Sequence, residues 1–288
     1  MYILSHEELI KLEEVLRKAR ESGVSEELRG WSWRFPPLKP PYQLQLPNYL
    51  IASKYCETAR DVYVSKVLNV KGQNTEPLSS GSSIHKVVYE TLGRMMQEGD
   101  PPDFGSFSIS DEAELLKQVY DYTVISAKAS VADISARFPF MPLRDVLRVS
   151  LPFLLEFKVD GSALGLSSNL SVDAFDYLRR VVFDLKYLRP ESRPEVWRRL
   201  YVTGYALVLE ALYGIPVDAG CLVYVRYVGK RVLVIRDIFF ISDELRREWI
   251  DERDRKLEIA ATRTDPGLPR LCYESCPYRE YCLRGKIA

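Results

Sequence analysis

The stretch that most constrains the fold is a β-hairpin predicted over residues 167–187, SSNLSVDAFDYLRRVVFDLKY. Two apolar runs of alternating pattern flank the polar connection 177–180, and this arrangement predicts two antiparallel strands joined by a tight turn. A turn centred in the middle of that connection places Asp173 directly opposite Asp184. Each strand therefore contributes one carboxylate to the same face.

Two opposed carboxylates on one face of a hairpin need a compensating charge. Cross-strand partners lie roughly 4.5 to 5.5 Å apart at Cβ, where like charges repel. The alternation of strand side chains puts Lys186 on the face of Asp184, while Phe183 and Leu185 point the other way. A lysine can neutralise one charge, and a divalent cation held by both carboxylates would account for all three polar residues. A solvated surface hairpin is the structural alternative.

The overall composition is that of a globular protein, with 47% hydrophobic and 28% charged residues among 288. Forty basic and forty acidic residues cancel, so a nucleic-acid site must be a local patch. No apolar run is long enough for a transmembrane helix, and the N-terminus has no secretion signal pattern. We therefore expect a soluble, cytoplasmic protein without a membrane partner.

The periodicity of apolar residues predicts an α/β protein, with helices throughout and strands in the second half of the chain. Ser5 and Glu8 form a capping box at the start of the first helix. Five prolines in segment 35–47 predict an extended connector. Helices are predicted over 5–20, 48–68, 82–98, 111–136, 194–213 and 242–261. In addition to the two strands of the hairpin at 167–187, strands are predicted over 151–161, 217–227 and 231–241.

Five cysteines are too few and too oddly numbered for a disulfide framework: Cys56, Cys221, Cys272, Cys276 and Cys282. We interpret Cys221 as a small buried hydrophobic residue in a strand. The three near the C-terminus are spaced Cys-x3-Cys-x5-Cys without a nearby histidine, so a metal site would need a fourth ligand, for which Cys56 is the candidate. Four thiolates from separated segments, one followed by proline, favour an iron-sulfur cluster over zinc. Free or disulfide-bonded cysteines are the remaining alternative.

Several motifs occur in the order of the RecB-type nucleases of the PD-(D/E)xK superfamily. They are His85 on a helix, Asp173, the Asp184-x-Lys186 tripeptide and Tyr205 on the following helix. Taken alone, His85 beside an apolar helix face is either a core residue or a ligand. With the four cysteines added, residues 47–285 resemble the CRISPR-associated RecB-like exonucleases, family number four, in the archaeal branch encoded with the adaptation genes. The segments that carry the resemblance are IASKYCETARDVYVSKV, GSSIHKVVYE, LGLSSNLSVDAF and VVFDLKY.

The resemblance implies a mixed sheet flanked by helices, with a helical, iron-sulfur-capped lid over a DNA channel. It implies that Mg²⁺ or Mn²⁺ is bound by His85, Asp173, Asp184 and the Leu185 carbonyl. Lys186 would then orient or deprotonate the attacking water, and Tyr205 would hold Lys186 or the DNA backbone. The implied ligands of a 4Fe-4S cluster are Cys56, Cys272, Cys276 and Cys282.

The same resemblance implies a division of the chain and exposes two departures from the family pattern. Residues 1–46 would be a helical extension with its proline-rich connector, and residues 47–285 the nuclease domain. Within that domain, cluster segments 47–70 and 241–285 would surround a core at 81–240. Tyr201 occupies the position of the usual glutamine in the Gln-x3-Tyr motif, and Leu170 stands where a glycine usually precedes the first aspartate.

These features together predict a metal-dependent DNA exonuclease that acts on single-stranded or frayed ends and prepares fragments for CRISPR spacer acquisition. A non-cleaving DNA-end binding subunit of the integrase complex and a DNA-repair nuclease of the same superfamily are the alternatives. The expected partners are DNA and the CRISPR integrase and adaptation proteins, with self-association as a further prediction. Basic residues that could contact phosphates or form a solvated face are Lys54, Arg60, Arg270, Arg279 and Arg284.

Overall fold

A five-stranded mixed sheet with helices on both sides forms the centre of the protein in a computed structural model that describes residues 1–73, 76–107, 112–273 and 276–284. The strands lie side by side in chain order. Among the described strands, β3 and β4 run parallel and the other neighbours are antiparallel. The strands are β1 (Phe153–Val159), β2 (Leu170–Asp176), β3 (Val181–Leu188), β4 (Ala219–Val228) and β5 (Arg231–Phe240). The predicted mixed α/β sheet is confirmed.

The described residues form the helices α1 (His6–Ser22), α2 (Asn48–Ala52), α3 (Arg60–Val62), α4 (Glu76–Glu98), α5 (Ala113–Arg137), α6 (Leu143–Ser150), α7 (Arg199–Tyr213), α8 (Asp243–Thr262) and α9 (Arg279–Arg284). The predicted capping box is present at α1, where Ser5 and Glu8 exchange hydrogen bonds between side chain and backbone. Within the described parts of the chain, none of these helices has the length and apolarity needed to cross a bilayer.

The central hairpin has the register that the sequence predicts. Strands β2 and β3 pair as far as Ala174 and Phe183, and the next opposed positions are Asp173 and Asp184. The Asp176 carboxylate closes the turn by accepting two backbone hydrogen bonds, at 3.0 and 2.8 Å. Since this hairpin is built from local contacts, its pattern alone was sufficient to predict it.

The sheet separates two apolar cores. One core lies between the sheet and helices α7 and α8, and the other between the sheet and helices α1, α4 and α5. Residues 1–46 contribute to both: Met1 and Tyr2 are buried in the second core, and Leu28, Leu38 and Leu46 in the first. Whether residues 1–46 and 47–285 are separate folding units stays a prediction.

The continuous helix predicted over 48–68 is wrong. The chain forms α2, leaves the helix through a loop that contains Cys56, and then makes the single turn α3 followed by a π-turn over 63–67. Ala59 has a left-handed backbone with φ of 56°, which interrupts the helix immediately before α3. The apolar periodicity was real, but contacts of the Cys56 loop with distant segments override it.

Other differences concern helix ends. Helix α4 begins at Glu76, earlier than the predicted 82, and α7 begins at Arg199, after a 3₁₀ turn over 196–198. Helix α6 was not predicted. It is short and follows Pro142 directly, so its pattern is too brief to distinguish it from a loop.

Candidate active site and cysteine group

The structure brings two of the three predicted metal ligands, His85 and Asp173, into one group of close ligand atoms, and Asp184 lies on the neighbouring strand outside that group. Helix α4 carries His85, β2 carries Asp173, and β3 carries Asp184. The His85 Nε2 atom lies 2.9 Å from the Leu185 carbonyl oxygen and 3.8 Å from Asp173 Oδ2. Asp173 Oδ2 in turn accepts a 2.7 Å hydrogen bond from the Leu185 backbone N–H. The side chains of the site therefore connect α4, β2 and β3 directly.

Asp184 and Lys186 form a buried ion pair beside this group. The Lys186 Nζ atom lies 2.9 Å from Asp184 Oδ1 and 2.7 Å from Oδ2, and Asp184 is only 1% exposed. Burial opposes the positive charge, but the Asp184 and Asp173 carboxylates outweigh it and raise the pKa of Lys186. Lys186 is therefore a cation at neutral pH, fixed against the second carboxylate of the hairpin.

The two aspartates influence each other as the hairpin register requires. Burial and the negative charge of Asp184 raise the pKa of Asp173, while His85 and Lys186 act in the opposite direction. Buried carboxylates that repel each other are the setting in which a bound cation gains most. The donor set and its charge thus fit a hard divalent cation.

His85 is strongly affected by the same carboxylates. Burial lowers its pKa, but the Asp173 charge and the Glu156 side chain outweigh burial and raise the pKa of His85 to about 9. The imidazole is therefore protonated at neutral pH in the metal-free protein. Because a histidine ligand must be neutral, metal binding would displace this proton.

Glu156 on β1 is a site residue that sequence reasoning missed. Its Oε1 lies 3.7 Å from His85 Nδ1, and its Oε2 accepts a 2.7 Å hydrogen bond from Ser171. The backbone φ of Glu156 is +45°, and the β1–β2 ladder skips the pair Glu156–Asp173 although the positions on either side are paired. A lone carboxylate inside an apolar strand was the signal that could have found it.

His85, Glu156 and Asp173 each offer one ligand atom, and these atoms all lie within 4.8 Å of one another. Nitrogen and carboxylate oxygen donors suit Mg²⁺ or Mn²⁺ rather than a soft metal. The carboxylate of Asp184 is engaged by Lys186 next to this group.

The two tyrosines of α7 occupy different places. Burial is the main cause that raises the pKa of Tyr205, followed by the negative charges of Asp173 and Asp184. Lys186 instead places its ammonium over the ring of Tyr201, 4.4 Å from the ring centre. Tyr201 is thus the tyrosine in direct contact with the lysine.

The segment that follows Cys56 packs against the segment that carries the C-terminal cysteines. Cys282 packs with Val64 and Tyr278 in a third small core, and Cys276 borders it. The Gln73 backbone N–H donates a 3.0 Å hydrogen bond to the carbonyl oxygen of residue 277. The 56–73 region and the C-terminal segment therefore pack against each other.

All four cysteines are close enough to interact electrically. Burial raises the pKa of Cys276 to about 12, with smaller contributions from Cys272 and Cys56. The pKa of Cys282 is raised by burial and by the same two neighbours. Among the described cysteine sulfurs, no three lie within 4.8 Å of one another. Four sulfurs around one tetrahedral zinc ion would be roughly 3.8 Å apart, given Zn–S bonds of about 2.3 Å.

The loop around Cys56 supplies hydrogen-bond donors to its sulfur. The backbone N–H groups of Asp61 and Arg60 point at Cys56 Sγ, and Thr58 Oγ1 lies 3.9 Å from it. The left-handed Ala59 bends the chain so that these donors converge. Burial raises the pKa of the Cys56 thiol, and the donors act against that effect.

Several of the predicted phosphate-binding residues are engaged in ion pairs. Lys54 contacts Glu248 at 2.5 Å, and Arg60 binds Asp265 through two hydrogen bonds of 2.8 and 2.7 Å. Arg284 pairs within α9 at 3.3 Å. These three side chains are already neutralised locally, which weakens the case that they form a phosphate-binding patch.

A histidine, buried carboxylates and a lysine converging on a mixed sheet form the kind of site that hydrolyses phosphate esters with a cation. Comparisons identify the class of protein as a CRISPR-linked nuclease. The family model described as CRISPR-associated exonuclease Csa1 matches residues 2–285. The chain belongs to this family and is an enzyme of the exonuclease class.

Two curated relatives carry the name CRISPR-associated exonuclease Csa1. The protein from Saccharolobus solfataricus is 31% identical, with 96% of this chain and 98% of the relative covered. The protein from Thermoproteus tenax is 30% identical, with 95% and 98% covered. A solved structure described as "Crystal structure of SSO0001" matches with a TM-score of 0.31 and 14% identity, over 84% of this chain and 98% of that chain. A TM-score of this size does not establish a common fold.

Proposed function

We propose that the protein is a metal-dependent DNA exonuclease that acts on single-stranded or frayed DNA ends and prepares fragments for CRISPR spacer acquisition. The observation that carries the proposal is the convergence of His85, Glu156 and Asp173 beside the buried Asp184–Lys186 pair. A hydrolytic site for phosphodiesters needs cation ligands next to a group that handles the attacking water, and this arrangement supports the proposal because His85 and the carboxylates could supply the ligands and Lys186 could supply that group.

The residues of the site would divide the chemistry between them. A bound Mg²⁺ or Mn²⁺ would clamp a phosphate oxygen and lower the pKa of its water. His85, Asp173 and Asp184 would hold the cation, together with the Leu185 carbonyl oxygen that already lies 2.9 Å from His85 Nε2. Lys186 would orient the attacking water and balance the charge of the phosphate. Tyr205 on α7 would contact the DNA backbone.

We further propose that the sheet and its helices form a RecB-type nuclease core. The support is the order of the elements: His85 on α4, the Asp173 and Asp184 hairpin, and the tyrosines on α7 that follow Lys186. Helix α7 then leads into β4, which runs parallel to β3.

The four cysteines would hold an iron-sulfur cluster of the 4Fe-4S type. Three observations support this: the four thiols interact, their sulfurs are spread more widely than around one zinc ion, and backbone N–H groups point at Cys56. The cluster would join segment 47–70 to the C-terminal segment and cap the site. A capped channel admits a single strand more readily than a duplex, which is why single-stranded or frayed ends are the proposed substrate.

A cleavage assay with end-labelled single-stranded DNA and Mn²⁺ tests the proposal. We expect wild-type protein to shorten the DNA from an end and Asp184→Asn to lose this activity. Asp160→Asn, a change at an exposed carboxylate in the loop after β1, is the matched control and should cleave normally. Undiminished cleavage by Asp184→Asn would refute the site. Normal end binding by wild-type protein without cleavage under any metal condition would favour a non-cleaving end-binding subunit.

The proposed partners are DNA and the CRISPR integrase and adaptation proteins. Co-purification of the tagged protein with those proteins, and not with DNA-repair complexes, is the expected result. Recovery with repair proteins alone would favour a repair nuclease of the same superfamily.

A further inference from the structure

Tyr201 stands one helical turn before Tyr205 on α7 and directly under the ammonium of Lys186. The distance from Lys186 Nζ to the centre of the Tyr201 ring is 4.4 Å, well within the range of a cation–π contact. Tyr201 is partly buried, and Trp197 packs beside its ring with centroids 6.1 Å apart. The Lys186 side chain is 23% exposed, so the contact is partly shielded from water, and this shielding strengthens a cation–π attraction.

The backbone that carries Tyr201 is fixed independently of Lys186. Asn48 Nδ2 donates a 2.8 Å hydrogen bond to the Tyr201 carbonyl oxygen, and Asn48 Oδ1 accepts one of 3.3 Å from the Trp249 indole. A Cβ atom at Gly204 would collide with both Asn48 and Trp249, so the absence of a side chain there permits this close packing. The backbone of Tyr201 is thus held in place by contacts that do not involve Lys186.

A contact with an aromatic ring suits Lys186 because of the partner that its ammonium already has. Its first contact is to both oxygens of Asp184, the same carboxylate that is proposed to bind the cation. An additional carboxylate beside Lys186 would add a negative charge that could also bind the metal ion. The face of an aromatic ring attracts the ammonium without adding a formal charge. A lysine side chain also has about 2 kcal/mol of rotamer entropy to lose when it is fixed. A ring under the ammonium removes part of that freedom.

We propose that Tyr201 is the positioning residue for Lys186 and that it acts through the face of its ring rather than through its hydroxyl. The role in catalysis rests on the proposed function, but the contact itself does not. The two parts are tested separately.

The contact is tested in the metal-free protein by NMR of ¹³C-labelled lysine. A ring under the ammonium shifts the Lys186 Hε resonance upfield, and Lys186→Arg identifies that signal by its disappearance. We expect the upfield shift to persist in Tyr201→Phe and to be lost in Tyr201→Leu. Tyr213→Leu, at the exposed end of α7, is the matched control and should retain it. An unshifted Lys186 signal in the wild-type protein would refute the contact.

The positioning role of Tyr201 is tested by the kinetics of single-strand cleavage. Thermal melting first confirms that each variant is folded. We expect Tyr201→Phe to keep kcat within about twofold and Tyr201→Leu to lower kcat at least about 10-fold with little change in KM. Incorporation of 4-cyanophenylalanine at 201 keeps an aromatic ring of similar size but weakens the attraction of its face for a cation. We expect kcat to fall with it towards the Tyr201→Leu value.

The opposing results are distinct. Full activity with 4-cyanophenylalanine would mean that the ring only packs, and a loss confined to KM would mean that Tyr201 stacks a DNA base. Either result would overturn the positioning role. A wild-type protein that does not cleave would instead refute the proposed function and leave the NMR result on the contact intact.

Discussion

The backbone N–H of Leu185 donates a 2.7 Å hydrogen bond to the carboxylate of Asp173 at the point where the β2–β3 ladder stops. The Asp173 side chain on β2 thus accepts the hydrogen bond that a backbone carbonyl of β2 would otherwise accept from β3. The bond fixes the Asp173 carboxylate beside His85 and ties the shape of the hairpin to the geometry of the site.

Replacing Asp173 should separate its two roles. Asp173→Asn keeps an oxygen acceptor for Leu185 and should retain the fold while losing Mn²⁺ binding. Asp173→Ala leaves the Leu185 N–H without this partner and should in addition cost about 1 to 3 kcal/mol of unfolding free energy. Urea unfolding and calorimetric Mn²⁺ titration of both variants measure the two effects. Equal Mn²⁺ affinity of Asp173→Asn and wild-type protein would contradict the assignment.

Glu156 should matter for metal binding through His85. The Glu156 carboxylate lies 3.7 Å from His85 Nδ1, so it can orient the ring and keep Nε2 directed at the cation. We expect Glu156→Gln to weaken Mn²⁺ affinity by about 10- to 100-fold. Glu90→Gln, on the exposed side of α4, is the control for loss of one carboxylate and should leave the affinity unchanged. The prediction fails if both variants bind Mn²⁺ equally.

Metal binding should depend on pH because His85 has a pKa of about 9 in the metal-free protein. A proton must leave before the imidazole can act as a ligand, so Mn²⁺ affinity should rise with pH up to about 9 and level off above it. Calorimetry at pH 7 in buffers of different ionisation enthalpy should show release of about one proton per bound ion. His85→Ala should abolish that release, and an unchanged proton count in this variant would contradict the prediction.

The same raised pKa has a consequence for the stability of the metal-free protein. Protonated His85 is favoured in the folded state, so its contribution is fully present below the unfolded pKa of about 6.5. That contribution is lost as the pH rises through about 9. The metal-free wild-type protein should therefore lose melting temperature relative to His85→Ala across this interval, and parallel pH profiles of the two would argue against it.

Arg236 should be important for stability because it joins β5 to the N-terminal segment. Its guanidinium is 5% exposed and bonds the carbonyl oxygens of Met1 and Ile3, the Glu8 carboxylate and the Tyr122 hydroxyl. Arg236→Ala would leave these partly buried acceptors without their donor, and we expect a loss of about 3 kcal/mol of unfolding free energy. Chemical denaturation measures it, with the exposed Arg231→Ala as control. A loss no larger than that of the control would show that the N-terminal segment contributes little to stability.

The cysteines should differ in their effect on bound iron. Anaerobically prepared wild-type protein is expected to be brown and to contain iron and sulfide, and Cys276→Ala should lose the colour. Cys221 is fully buried in β4 and distant in sequence from the other four, so Cys221→Ala should keep it. Zinc without sulfide in the wild-type protein would overturn the cluster proposal.

Local features of the sequence were sufficient for a substantial part of the fold. The capping box at Ser5 and Glu8, the hairpin register at Asp173 and Asp184, and the buried Cys221 all depend on neighbours in the chain or on the two-residue period of a strand. These interactions are short in sequence, so a pattern of residue types carries them.

Features that depend on distant segments could not be read in the same way. Residues 48–68 have a helical pattern, yet the Cys56 loop interrupts them, and Thr58 in that loop donates a hydrogen bond to the Gly267 carbonyl oxygen more than two hundred residues away. The sequence pattern around Glu156 is that of an ordinary strand. Only the structure shows that the β1–β2 ladder is interrupted at Glu156 and that its carboxylate lies 3.7 Å from His85 Nδ1.

The sequence by itself determined which side chains could carry the chemistry: two aspartates opposed by a hairpin, a lysine on the same face, a histidine on a helix and four clustered cysteines. The tertiary structure alone decided how those groups are held. In the structure, the ring of Tyr201 rather than that of Tyr205 contacts the Lys186 ammonium, and the Glu156 carboxylate lies next to His85 Nδ1. The physical reason is that residue types and their periodicity fix local geometry, whereas the packing of α4, α7 and β1 around the hairpin sets contacts of a few ångströms between segments that no local pattern relates.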